Sequence, residues 1–243
     1  MVDRRLSFGA SAELYDRVRP GYPAAAVEWA LRPLGTGRWR VVDLGAGTGL
    51  LTRVAIDAGH EVVPVEPDPR MRDRLITTLG VAAAPGRAED IPLPGTSADA
   101  VVAGTAFHWF EADRALPEIA RVLRPGGVFA ALTHGPTGDD WTVQYFRLLH
   151  GWKAVREHTP LSFGPLFTEV ETTAFPYTIT QTPEGLADLA SSYSYFITAT
   201  PEERRRILDE LDMLRRGHPE LAGRETFEMP YTVHVARAVR RSA

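Results

Sequence analysis

Four short apolar runs, each bounded by glycine, proline or an acid, constrain this chain more than any other feature. Arg40-Val41-Val42-Asp43-Leu44 stops at a glycine cluster and Glu61-Val62-Val63-Pro64-Val65 stops at Glu66-Pro67. Ala98 to Ala103 stops at Gly104, and Val128 to Leu132 follows Pro125-Gly126-Gly127. Runs this short and this apolar predict buried strands. Between them Leu50 to Ala58, Pro69 to Leu79 and Asp113 to Leu123 carry helical periodicity, the last setting Leu116, Ile119, Ala120 and Leu123 on one face. Strands alternating with helices imply a parallel sheet covered on both sides. Right-handed crossovers then bring the carboxyl ends of the strands to one edge, where ligands of open α/β sheets bind.

After about residue 134 the pattern changes to aromatic-rich helices, Asp139 to Glu157 and Pro183 to Phe196, and a more charged one from Pro201 to Arg216. Phe175 to Ile179 reads as a strand among them, and Tyr231 to Ala236 alternates like an edge strand returning to the sheet. The aromatics of this half, including Trp141, Tyr145, Phe146, Trp152, Tyr193, Tyr195 and Phe196, read as core with some share in an apolar pocket. No linker composition marks a second independent domain.

Composition removes several chemistries. The absence of cysteine excludes a disulfide framework, a thiolate metal site and a cysteine nucleophile, and fits a cytoplasmic protein. With 27 Lys+Arg against 31 Asp+Glu, net charge −4, there is no global basic field of the kind that holds nucleic acid. The first residues lead into no apolar leader, and no stretch of about 18 consecutive apolar residues spans a membrane. The seven histidines form no pair four apart with an acid between, so no metal is expected.

Chemistry concentrates at the ends of the strands. Asp43-Leu44-Gly45-Ala46-Gly47-Thr48-Gly49 follows a strand and opens a helix, where glycine lets backbone approach a ligand. Its glycines fall at every second position, unlike the Gly-x-Gly-x-x-Gly of dinucleotide sites. Asp43 repels phosphate and favours an ammonium or sulfonium cation. Glu66, roughly 20 residues on, ends the second run where a carboxylate can take both hydroxyls of a ribose. His108 follows the third run at the ligand edge and is the candidate base, with His134 second. Flanking it, Phe107, Trp109 and Phe110 either face a cation or pack against the next helix. Tyr15 and Arg19, four apart, share one helical face, and arginine offers a planar fork for a carboxylate.

Five motifs in order, Val41 to Gly49, Val65-Glu66-Pro67-Asp68-Pro69-Arg70-Met71, Ala88-Glu89-Asp90-Ile91-Pro92-Leu93, Ala106-Phe107-His108-Trp109-Phe110 and Leu123-Arg124-Pro125-Gly126-Gly127, resemble the class I S-adenosylmethionine-dependent methyltransferases. Within them the chain is most similar to the small-molecule group that includes ubiquinone-biosynthesis and trans-aconitate methyltransferases, over residues 8 to 133. The resemblance implies an α/β, Rossmann-like fold with a mostly parallel seven-stranded sheet, an antiparallel edge strand and a helical cap. It divides a single domain, 1–243, into a cofactor lid (1–35), a cofactor-binding core (36–134), a helical substrate cap with an inserted strand (135–220) and a final edge strand (221–243).

It also implies S-adenosyl-L-methionine as cofactor, with S-adenosyl-L-homocysteine as product, and a small organic molecule as methyl acceptor. Gly45, Ala46 and Gly47 would meet the methionine part, with Asp43 near its ammonium. Glu66 would hold the ribose, Pro67 and Met71 flank the adenine, and Ala88 with Glu89 meet its edge. Thr105 and Ala106 complete the cofactor set, and Tyr15 and Arg19 reach the carboxylate. At Arg87 many relatives carry an aspartate that accepts from the adenine amino group, which arginine cannot do. Methyl transfer is a direct displacement that asks mainly for positioning. Two other readings stay open: the same site turned to a cyclisation or decarboxylation, and a nicotinamide-dependent oxidoreductase.

Overall fold

The structure is a computed structural model, and it describes residues 12–137, 141–150 and 162–242. Phe8 to Ser11, Asp139, Asp140 and Trp152 lie outside the described residues. The chain forms two compact units. One comprises Met1–Pro20, Gly135–Glu157 and Pro176–Thr232, and the other Gly21–His134, His158–Phe175 and Val233–Ala243.

The described strands, β1 (Arg40–Leu44), β2 (Glu61–Val65), β3 (Ala98–Gly104), β4 (Leu123–Pro136), β5 (Glu171–Gln181) and β6 (Phe227–Val239), line up in the order β2-β1-β3-β4-β6-β5. β1 pairs in parallel with β2 and β3, and β3 in parallel with β4. At the far edge β6 runs against β4, since Arg240 exchanges bonds with Gly126 and Gly127 while Thr232 meets Thr137 at the other end. Six strands are described where seven are expected. Beyond β2, Val65 makes only a one-residue parallel bridge to Ala84, and Pro85, which has no N–H, follows at once. The Tyr231 to Ala236 run lies in β6, second from the edge, with β5 outermost.

Helices α1 (Ala12–Val18), α2 (Ala24–Leu31), α3 (Leu50–Asp57), α4 (Pro69–Leu79), α5 (Ala112–Val122), α6 (Trp141–His150), α7 (Pro183–Ser191), α8 (Ser194–Ile197) and α9 (Pro201–Gly217), with 3-10 turns at Arg32–Leu34 and Phe107–Trp109, complete the described elements. α4 is bounded by local chemistry: the Asp68 carboxylate accepts from the Arg70 and Met71 amides, Pro69 opens the first turn, and Gly80 closes the helix in a left-handed conformation. α9 carries a complete capping box of Thr200 and Glu203. The expected helix from Pro183 to Phe196 is two, because the chain turns at Ser192 and Tyr193.

Each unit has its own core. In the sheet-bearing unit Val42, Leu44, Val101, Phe129, Ile119 and Leu123 pack together with Phe163 and Phe167. In the other, Trp141, Tyr145, Phe146, Leu186, Leu189, Tyr193 and Tyr231 form an aromatic-rich cluster. Burial at about 25 cal/mol per Å² of apolar surface is what offsets the conformational entropy of ordering both.

Candidate functional site

The parallel pairing of β1 with β2 brings the glycine loop and the end of β2 side by side. Gly45 and Ala46 both donate to the Val65 carbonyl, at 2.8 and 3.2 Å. Gly45 has φ +72°, and a Cβ there would lie 2.8 Å from the Cβ of Ala106, so this loop fits its neighbour only as glycine. Glu66 then closes the arrangement. Its Oε2 accepts from the Gly47 amide and its Oε1 from the Asp68 amide, each at 2.8 Å. Arg72 holds the Glu66 carbonyl at 2.9 Å.

Electrostatically the surroundings of this loop are acidic, and the acids are buried. Asp43 is 1% exposed and accepts from the Thr52 hydroxyl at 2.6 Å, while its Oδ1 has no hydrogen-bond partner. Burial pushes its carboxyl up to about 6 against the pull of Thr52. Glu66 is 6% exposed, and burial pushes it up to about 7, opposed by its two backbone bonds and reinforced by the nearby Asp68 and Asp43 carboxylates. The buried Thr48 hydroxyl is also unbonded. Among the described residues no arginine pairs with Asp43, Glu66 or Asp68. Orphaned buried polar atoms are costly, so a donor-bearing, cationic ligand suits this place and a phosphate does not.

The remaining sequence-derived residues divide. Met71 and Ala88 are buried, Pro67 is half-buried, and Ala106 stands against Gly45. The Glu89 carboxylate accepts from the Glu111 amide at 2.8 Å, which ties its loop to the start of α5. Glu118 and Arg121 hold the same loop through Ile91 and Leu93. These ties were not readable in the sequence, because nothing local distinguishes them from surface charges.

Tyr15 and Arg19 belong to the other unit. There Arg19 donates to the Ser192 hydroxyl at 2.8 Å and to the Ser192 carbonyl at 3.0 Å. Its guanidinium lies 3.6 Å from the Tyr193 ring centre and 4.8 Å from that of Tyr15.

His108 is the exposed residue of a 3-10 turn, Phe107–Trp109, with its ring 4.8 Å from that of Trp109. Phe107 turns inward to Phe129 and Phe163, so packing explains at least that aromatic. His134 lies in β4. Its Nδ1 meets the Thr105 hydroxyl at 3.2 Å, its Nε2 the Gly21 carbonyl at 3.0 Å, and the Tyr22 hydroxyl meets Thr105 at 3.0 Å. Tyr22 had no signal beyond its place in Arg19-Pro20-Gly21-Tyr22-Pro23.

Among the described residues no group of three His, Cys, Asp or Glu could hold a metal ion, and no helix is long and apolar enough to cross a membrane.

Residues 42–131 match the family described as "Methyltransferase domain". An uncharacterised methyltransferase of Mycobacterium bovis is 39% identical over 241 residues, covering 97% of this chain and 96% of the relative. A solved structure described as a type II methyltransferase, from Anaeromyxobacter dehalogenans, superposes with a TM-score of 0.67 at 27% identity, covering 92% of this chain and 97% of that one. Phosphoethanolamine N-methyltransferase 2 of Haemonchus contortus, solved with S-adenosyl-L-methionine, shares the fold at a TM-score of 0.55 and 16% identity, over 100% of this chain and 61% of that one. With this glycine loop on this Rossmann-like sheet, the chain belongs to the class I methyltransferase family.

Proposed function

We propose that this protein binds S-adenosyl-L-methionine at the glycine loop and transfers its methyl group to a small organic acceptor. The observation that carries the reading is Asp43: a buried carboxylate whose Oδ1 has no partner, beside a second buried carboxylate, Glu66, that keeps lone pairs after taking two amides. A ligand with an ammonium group and a vicinal diol satisfies both, whereas a pyrophosphate would meet two like charges.

The cofactor, when bound, supplies an electrophilic methyl on a sulfonium. This chain's residues do the rest. Asp43 would accept from the ammonium and Glu66 from the ribose hydroxyls. The backbone of Gly45 to Gly47, held by Val65 and Glu66, gives the methionine portion a rigid floor. Pro67, Met71 and Ala88 would enclose the adenine and keep water from it. Displacement at a methyl needs alignment more than acid or base, and well-held near-attack geometry is worth ~7 to 11 kcal/mol.

Calorimetric titration with S-adenosyl-L-methionine, S-adenosyl-L-homocysteine and NADH tests the reading. Micromolar binding of the first two is expected. At pH 6.5 their binding enthalpy should depend on the buffer's ionisation heat, since donors on Glu66 and Asp43 lower those raised carboxyls and release protons. Binding of NADH alone, or of none by a folded protein, refutes it.

A further inference from the structure

The loop that follows Gly86 is fastened to α5 from Glu89 to Thr96. It starts with the turn of Arg87 to Asp90, closed by the Asp90 amide on the Arg87 carbonyl at 3.2 Å. The Glu89 carboxylate takes the Glu111 amide just ahead of α5, and the Thr96 amide donates to the Arg121 carbonyl at 2.9 Å in the last turn of that helix. Thr96 has φ +54°, a left-handed conformation that a β-branched residue adopts at a cost, so the loop is tied down where it leaves as well as where it enters.

Between these points a single side-chain pair holds the chain. Glu118 Oε2 accepts from the Ile91 amide at 3.0 Å, and Arg121 Nη2 donates to the Ile91 carbonyl at 2.9 Å, so both main-chain groups of one residue are taken. Arg121 Nη1 donates to the Leu93 carbonyl at 2.9 Å. The two side chains meet each other at 2.7 and 2.8 Å, and the bond to Arg121 holds the Glu118 carboxyl below its ordinary value. As an ion pair so open to solvent, Glu118 and Arg121 stabilise the fold little. Their effect is local: they decide where the loop's backbone lies.

That backbone stands against the floor of the glycine loop. A Cβ on Gly86 would collide with Pro92 and lie 3.0 Å from Val65, the residue whose carbonyl holds Gly45 and Ala46. The Glu66 amide donates to the Ala84 carbonyl at 3.0 Å, just before the loop. Ala88, in the turn, is 3% exposed, and among the described residues its N–H and C=O meet no hydrogen-bond partner. The Arg87 side chain carries donors only, so it cannot accept from an amino group. A base edge at this turn is then read by main chain, and main-chain groups discriminate only as well as they are held in place.

Resting on the reading of S-adenosyl-L-methionine at the glycine loop, we propose that Glu118 and Arg121 are positioning residues that give this site its preference for adenine over other purines, by fixing the backbone from Arg87 to Leu93. Neither side chain touches the cofactor. Both act through the main chain of Ile91 and, for Arg121, of Leu93.

Calorimetric titration with S-adenosyl-L-homocysteine and S-inosyl-L-homocysteine tests this. The two share ribose and amino acid, so their affinity ratio reads the base edge alone, and a general loosening of the fold cancels. Hypoxanthine offers a donor where adenine accepts and an acceptor where it donates, so wild type should prefer the adenine compound by about a hundredfold or more. Glu118→Ala and Arg121→Met should bring that preference to within about tenfold, chiefly by weakening the adenine compound. Arg121→Lys, which keeps charge and stem but cannot reach both carbonyls and Glu118 together, should fall between, and it carries the test if the other variants fail to fold. A folded variant that keeps the wild-type ratio, whatever its overall affinity, overturns the proposal. So does a wild type that binds both compounds equally, which leaves the cofactor reading standing. A wild type that binds neither brings down the cofactor reading, and this inference with it.

Discussion

Replacing Glu66 by glutamine puts the electrostatics of the glycine loop to a quantitative test. The side chain keeps its shape, but one oxygen becomes an NH2 that faces an amide, Gly47 or Asp68, where the carboxylate accepted. Losing that bond costs about 1 to 3 kcal/mol at any pH. The second consequence depends on pH. Burial raises the Glu66 carboxyl from 4.5 to about 7, so the native state binds its proton more tightly than the unfolded chain does. Below about pH 4.5 both states are protonated and the group is neutral to stability. As pH rises to about 7 the native state must surrender a proton that the unfolded chain has already lost, and stability falls. Above 7 the full cost of a buried anion is present.

At 1.36 kcal/mol per unit, that cost grows by roughly 2 to 3 kcal/mol between pH 5 and pH 8. Glutamine abolishes it. Relative to wild type the variant should therefore be less stable at pH 5 and close to equal, or ahead, at pH 8. On the Tm scale of a chain this size the relative change is about 4 to 12 °C. Thermal melts of both proteins from pH 5 to 8, without cofactor, measure it, and because only the difference is read, titrating groups that do not interact with Glu66 cancel. A difference that does not move with pH would mean that Glu66 ionises as an exposed carboxylate does, and the argument from burial would fall.

Other consequences can be checked on the same footing. Gly45→Ala meets both a left-handed φ and the Ala106 Cβ, and should cost about 2 to 4 kcal/mol in urea unfolding, whereas Gly47→Ala, whose Cβ meets nothing within 4 Å, should cost about 1 to 2. Ala106→Gly should recover part of the Gly45→Ala loss, and no recovery would show that the contact is not the cause. His108→Ala removes an exposed ring and should leave stability within about 0.5 kcal/mol and cofactor affinity unchanged. A tenfold weaker cofactor would place His108 in the binding site.

Much of the sheet-bearing unit could be read locally. α4 begins at Pro69 and ends at Leu79, as its pattern predicts, because an aspartate cap, a proline and a terminal glycine lie within one turn of its ends. β1 and β2 match their apolar runs residue for residue. The break between α7 and α8 could not be read, since the Ser192 carbonyl is taken by Arg19, 173 positions away. The outer strand could be read at Phe175 to Ile179, but its place could not: β5 alternates between exposed and half-buried positions, and only its pairing with β6 shows that it lies outside the alternating run of Tyr231 to Ala236.

The glycine loop, Asp43 and Glu66 are determined by sequence, because their chemistry is short-ranged: a turn that only glycine can make, and an acid at the end of each of two adjacent strands. Which acids lose their solvent was decided by the fold, and with it the carboxyls raised to about 6 and about 7. So was the meeting of Tyr22, Thr105 and His134. They stand 83 and 29 positions apart along the chain, and no local rule relates them. They meet because β3 and β4 pair in parallel and end together, and because Gly104, without a side chain, leaves the space that the Tyr22 hydroxyl fills.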